Sequence, residues 1–186
     1  MRNSKLVAFL LAVILCVVSC SAALAKSREL SPDESDELEK WLCGILQGEG
    51  YNVDFGSNLK SVDISYTSDG YNVTMKTTEG STYKAKLKGT RTVVYLSAKS
   101  GYGGTPMDDP QLDKKTMKRV EKKVKAFLKK VNPSLRKKIG TLKVTNCTVD
   151  GKKTYVELKD SKDKAFFALK VTSSSVQVMV FSEMNR

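Results

Sequence analysis

Beyond residue 30, apolar residues recur along the chain with two periods in alternation. Leu38, Trp41, Leu42, Ile45 and Leu46 fall at helical spacing, which predicts a helix with one buried stripe from Ser31 to about Gly48. Ser31 suits the cap, Pro32 the first helical position, and Glu34 completes a capping box. Gly48 and Gly50 end the helix. The period then drops to two, and strands are expected at 61–67, 71–76, 82–88 and 92–98, with turns at Asp69-Gly70 and Glu79-Gly80. Tyr83, Ala85 and Leu87 alternate with Lys84, Lys86 and Lys88, the pattern of a sheet with one dry face and one wet face.

The same order returns in the second half. Asp109 is placed to cap a helix with Pro110 at its first position. Its stripe is Met117, Val120, Val124, Phe127, Leu128 and Val131, and Asn132-Pro133 stops it. Asn132 can itself cap a short extra turn reaching Ile139. Strands are then expected at 140–148, 154–158, 165–172 and 176–182. Phe167, Leu169 and Val171 stand 84 residues after Tyr83, Ala85 and Leu87.

These patterns predict an α+β protein of two tandem repeats, each an N-terminal helix followed by a four-stranded antiparallel sheet. The first repeat covers 30–98 and the second 109–186, with a glycine-rich linker at 99–108. Each half is small for a core of its own, so the halves should pack together. In architecture the plan resembles secreted tandem inhibitors of the β-lactamase inhibitory protein type and paired cystatin-like modules. The Gln-x-Val-x-Gly loop of cystatins is absent, so the resemblance carries no site residue over to this chain.

The start of the chain has a different pattern. Arg2 and Lys5 precede an apolar run at 6–18, followed by Ser19-Cys20-Ser21-Ala22-Ala23-Leu24-Ala25. This is the layout of a secretory signal peptide at 1–25, and the run is too short for a comfortable membrane span. A second parse competes: Val17-Val18-Ser19-Cys20 resembles the lipobox of bacterial lipoproteins, in which Cys20 would be lipidated and become the N-terminus. Either parse places the protein outside the cytoplasm, secreted or periplasmic, with a lipid anchor in the second case.

Composition narrows the chemistry. There is no histidine among 186 residues, which removes histidine general bases, triads and zinc sites. Cys43 and Cys147 remain after the leader, and in an oxidising compartment a single disulfide and a pair of free thiols are both open. Cys43 falls well off the centre of the first helix's apolar stripe. Ser-x-x-Lys occurs at Ser57, Ser81, Ser134 and Ser161, but the companion Ser-Asp-Asn and Lys-Thr-Gly motifs are missing. Asp108-Asp109 reads as helix capping, and Tyr51 and Phe55 as core capping or a presented aromatic loop. No catalytic set, metal site or cofactor is nominated.

Charge supplies the one candidate site. The formal net charge is +12, and removing 1–25 takes away only Arg2 and Lys5, so the basicity belongs to the mature protein. It concentrates on the second helix, where Lys115, Lys118, Arg119, Lys122 and Lys129 oppose the apolar stripe, with Lys130 nearby and Arg136, Lys137 and Lys138 beyond. Like charges meet four residues apart in Lys114–Lys118, Lys115–Arg119, Lys118–Lys122, Arg119–Lys123 and Lys125–Lys129. At about 0.2–0.5 kcal/mol each, the helix carries roughly 1–2.5 kcal/mol of self-repulsion. Two explanations stand. The acidic first helix, with Asp33, Glu34, Asp36, Glu37 and Glu39, could neutralise it. Alternatively the face binds an anionic envelope component, lipid headgroups or an acidic protein. The excess of lysine over arginine favours diffuse attraction over bidentate phosphate or base recognition, and no specific nucleic acid is expected. The resulting expectation is an exported, non-enzymatic binding or accessory protein of the cell envelope. The alternative is a secreted protein inhibitor of a hydrolase.

Overall fold

The computed structural model of the chain describes residues 28–98, 105–106 and 111–184. The expected leader with Cys20, most of the linker and the expected cap Asp109 lie outside the described residues. Helix α1 (Pro32–Gly48) starts on Ser31 with the capping box in place. Ser31 Oγ accepts the Glu34 N–H at 3.3 Å, and the Glu34 carboxylate accepts the Ser31 N–H at 2.9 Å. Glu49 closes the helix, and Gly50 turns the chain in the left-handed region at φ +85°.

Four strands follow: β1 (Leu59–Tyr66), β2 (Gly70–Thr77), β3 (Thr82–Lys88) and β4 (Thr92–Ala98). After a two-residue strand β5 (Thr105–Pro106) come α2 (Lys114–Val131) and the short α3 (Pro133–Lys138). The chain ends in β6 (Leu142–Asp150), β7 (Lys153–Asp160), β8 (Ala165–Val171) and β9 (Val176–Glu183). Helix α2 starts later than expected. Asp113, not Asp109, is its cap, with Oδ1 accepting the N–H groups of Lys115 at 2.9 Å and Thr116 at 3.0 Å. An Asp-Pro pair is a good start signal, but Asp113 offers the same carboxylate directly before the amphipathic segment. Asn132 does cap α3, accepting the Leu135 N–H at 3.0 Å.

The expectation of a separate four-stranded sheet in each half is corrected. The strands form one antiparallel sheet in the order β1-β2-β3-β4-β9-β8-β7-β6, extended by β5 at the β6 edge. The seam is β4 against β9, with Tyr95 opposite Ser182, Leu96 opposite Phe181 and Ser97 opposite Val180. Two separate meanders would leave both of these strands with unpaired backbone edges, and joining them satisfies both at once. The period of two also breaks once on each side of the seam, where the register with the neighbouring strand shifts at Val94 of β4 and at Met179 of β9.

One apolar cluster underlies both halves. Leu38, Leu42 and Leu46 of α1 and Val120, Val124, Phe127 and Leu128 of α2 pack with the inward residues of the sheet, including Val73, Leu87, Leu96, Phe167, Leu169 and Phe181. Phe181 packs against Phe127 and Phe167 at ring distances of 5.6 and 5.3 Å. On the other face, Lys84, Lys86 and Lys88 are exposed. Gly70 is needed at the β2–β3 crossing, because a Cβ there would overlap the Leu87 carbonyl oxygen.

Candidate functional site

Helix α2 turns its stripe into the core, and this leaves its cations on the outside. Lys115, Lys118, Lys122 and Lys129 are exposed, as are Arg136, Lys137 and Lys138 of α3. Lys118, Lys122, Lys125, Ala126 and Lys129 of α2 and Arg136 of α3 together line a surface groove of about 440 Å³. Glu121 is its one acid. A second hollow along the same helix is lined by Lys114, Lys115, Lys118, Arg119 and Lys122. With a rise of about 1.5 Å per residue, the row from Lys115 to Lys129 runs for roughly 21 Å.

Two members of the expected set are engaged elsewhere. Arg119 Nη2 donates to the Thr172 carbonyl at 3.1 Å, tying α2 to the β8–β9 turn. Lys130 lies at the C-terminal end of α1, where a Cβ on Gly48 would come within 3.0 Å of its Nζ. Lys138 faces a different hollow, beside Asn132, Ser134 and Glu183. Lys125 and Ala126 were missed as site residues. The available signal was the alanine, the one small side chain in a run of outward lysines at 122, 125 and 129.

No acid of α1 among the described residues forms an ion pair with this row. Glu34 pairs with Arg28, and Glu37 with Arg91 at 3.4 Å. The one ion pair among the described residues between the two helical regions is Lys123 Nζ to Glu49 Oε2, at 3.3 Å, at the C-terminal end of α1. Among the described residues, Lys115, Lys118, Lys122, Lys125, Lys129 and Arg136 take part in no ion pair.

Glu49 is the most deeply placed acid near the site. Its side chain is 3% exposed, and its Oε2 also accepts the Val178 N–H of β9 at 3.2 Å. Burial pushes its carboxyl above the usual carboxylate range, against the pull of Lys123, the Val178 N–H and Lys130. Lys123 Nζ also donates to the Gly48 carbonyl at 3.3 Å, where a cation suits the helix dipole.

Cys43 and Cys147 are free, buried thiols. Burial, with Glu39 and Asp54 behind it, pushes the Cys43 thiol up to about 11, and burial raises Cys147. Cys43 is buried despite lying off the stripe centre. The segment after α1 folds back beside the helix, where Gln47 Nε2 donates to the Val53 carbonyl at 2.8 Å. Tyr51 and Phe55 pack against the core, with the Tyr51 hydroxyl donating to the Val178 carbonyl at 2.9 Å.

Among the described residues there is no group of three or more Cys, Asp or Glu side chains that could hold a metal, and no helix long and apolar enough to cross a membrane. No family model, curated protein or solved structure matches the chain.

Proposed function

We propose that the protein is an exported, non-enzymatic binding or accessory module of the cell envelope, engaging an anionic component through α2. The observation that carries this reading is the row of exposed cations Lys115, Lys118, Lys122, Lys125 and Lys129, which among the described residues take part in no ion pair although α1 carries acids. A helix that keeps such self-repulsion is suited to an anion supplied from outside. In this reading the segment before residue 26 exports the chain, and lipidation at Cys20 would anchor it. The two halves, 30–98 and 109–186, are read as copies of one helix-and-meander unit. The offset of 84 residues between Tyr83–Leu87 and Phe167–Val171 supports that.

The test replaces Lys115, Lys118 and Lys122 with Gln and follows association of the protein with envelope fractions at low salt. Association should weaken while the folded structure persists by circular dichroism, and unchanged association overturns the reading. A second reading, inhibition of a hydrolase, draws on the sheet face opposite the helices and on Tyr66, which is 60% exposed on β1. Inhibition that tracks Tyr66→Ala and ignores the α2 substitutions would favour it.

A further inference from the structure

We infer that the groove between α2 and α3 is a binding site for a linear polyanion, a flexible chain carrying phosphate, sulfate or carboxylate groups at short regular intervals. This rests on the anion-binding reading of α2 and names the ligand class.

Three observations select a chain over a membrane or a protein. The first is shape. Lys118, Lys122, Lys125 and Lys129 of α2 line one surface groove together with Ala126 and with Arg136 of α3, so cations from two helices meet in it. A groove lined by cations from two elements can hold a strand of polymer along its length. The second is spacing. Successive lysines are three or four residues apart, so charges recur every 4.5–6 Å, roughly, along the helix axis. That periodicity serves a repeating anion and is superfluous for a single one. The third is the missing apolar partner surface. The large hydrophobic residues exposed among those described are Tyr66 and Val149, and neither lines the groove. Membrane insertion needs an apolar wedge, and protein interfaces concentrate their energy in apolar and aromatic anchors.

Lysine suits this ligand. An ammonium is a compact point charge on a flexible stem, able to follow a mobile chain without the fixed geometry that a guanidinium fork imposes. Glu121 at the groove sets a limit on local charge, and it gives the site an internal control.

The test measures binding of long-chain polyphosphate and heparin to the purified protein, with phosphatidylglycerol–phosphatidylcholine vesicles and tripolyphosphate in parallel. Both polymers should bind, and tripolyphosphate far more weakly. Engaging five cations gives a salt slope of about −3.5, so affinity should fall roughly 100-fold between about 50 and about 200 mM salt. The triple change Lys118→Gln, Lys122→Gln and Lys129→Gln should weaken binding at least 10-fold, roughly, and Arg136→Gln several-fold. Glu121→Gln should tighten it about 2–3-fold, an effect that a purely structural role would not produce. Lys84→Gln, Lys86→Gln and Lys88→Gln on the opposite face should change little. If that sheet triple weakens binding as much as the helix triple, attraction is bulk charge and the groove is refuted. Loss of the Arg136 and Glu121 effects also refutes it. Vesicle binding without polymer binding overturns the polymer and leaves the envelope reading standing. Binding to neither overturns both.

Discussion

Glu49 offers the sharpest test of how the two helices are held on the sheet. Its carboxylate touches three elements at once: it ends α1, accepts the β9 amide of Val178, and pairs with Lys123 of α2. Glu49→Ala would orphan the buried Val178 N–H, a loss of about 1–3 kcal/mol. It would also empty the space of a side chain that is 3% exposed. Lys123 is 26% exposed and still reaches the Gly48 carbonyl, so it need not be stranded. The expected total is about 2–4 kcal/mol, below the full cost of breaking a buried pair. Glu49→Gln keeps an oxygen for Val178 and sheds the buried charge, and should cost less than about 1 kcal/mol at neutral pH.

The pH dependence follows from the direction of the shift. Burial raises the folded-state pKa of Glu49, so the folded protein holds this proton more tightly than the unfolded chain. The contribution to stability is present below the unfolded value and is lost as pH rises through the folded one. Urea unfolding between about pH 4 and about pH 7 should therefore show Glu49→Gln gaining on the wild type as pH increases. If Glu49→Gln instead costs as much as Glu49→Ala at neutral pH, attraction by Lys123 and Lys130 outweighs desolvation, and the reasoning is refuted.

Two further outcomes come directly from packing. Gly70→Ala should cost at least about 2 kcal/mol, because the new Cβ meets the backbone of Leu87 and no side chain can yield; a urea midpoint equal to the wild type would contradict it. In a chain starting at residue 26, Cys43 and Cys147 should resist a thiol reagent at mildly alkaline pH while folded, and both should react once unfolded in guanidinium, since burial raises both pKa values. Fewer than two thiols in the unfolded chain would mean that they had paired.

Most elements were legible because their signals are local. The capping box at Ser31 and Glu34, the stripe of α2 and the Tyr83–Leu87 alternation each lie within a few residues. The seam was not legible: Leu96 and Phe181 look like any inward strand residues, and nothing nearby states that β4 will pair with β9. The register shifts at Val94 and Met179 move the alternation for the same tertiary reason. At the site, helical spacing announced the lysine row. It could not say that Lys130 turns to the end of α1, that Arg119 reaches Thr172, or that Glu49 goes under cover. An acid after a helix reads as solvated until the other helix is placed over it.

The α2 row should also carry a measurable stability penalty. Lys118 stands four residues from both Lys114 and Lys122, so Lys118→Gln removes two repulsive pairs. At about 0.2–0.5 kcal/mol each, the protein should gain roughly 0.4–1 kcal/mol at low ionic strength. The gain should shrink as salt screens the pairs. A variant less stable than the wild type, or a gain that persists at high salt, would show that the lysines are held by packing. A bound polyanion acts on the same term, because it neutralises the row without removing a side chain. Polyphosphate should therefore raise the unfolding midpoint of the wild type more than that of Lys118→Gln. Equal shifts would place the ligand somewhere other than α2. Under the proposed polyanion binding, stability and occupancy are tied: the repulsion that weakens the free protein is the attraction available to the polymer.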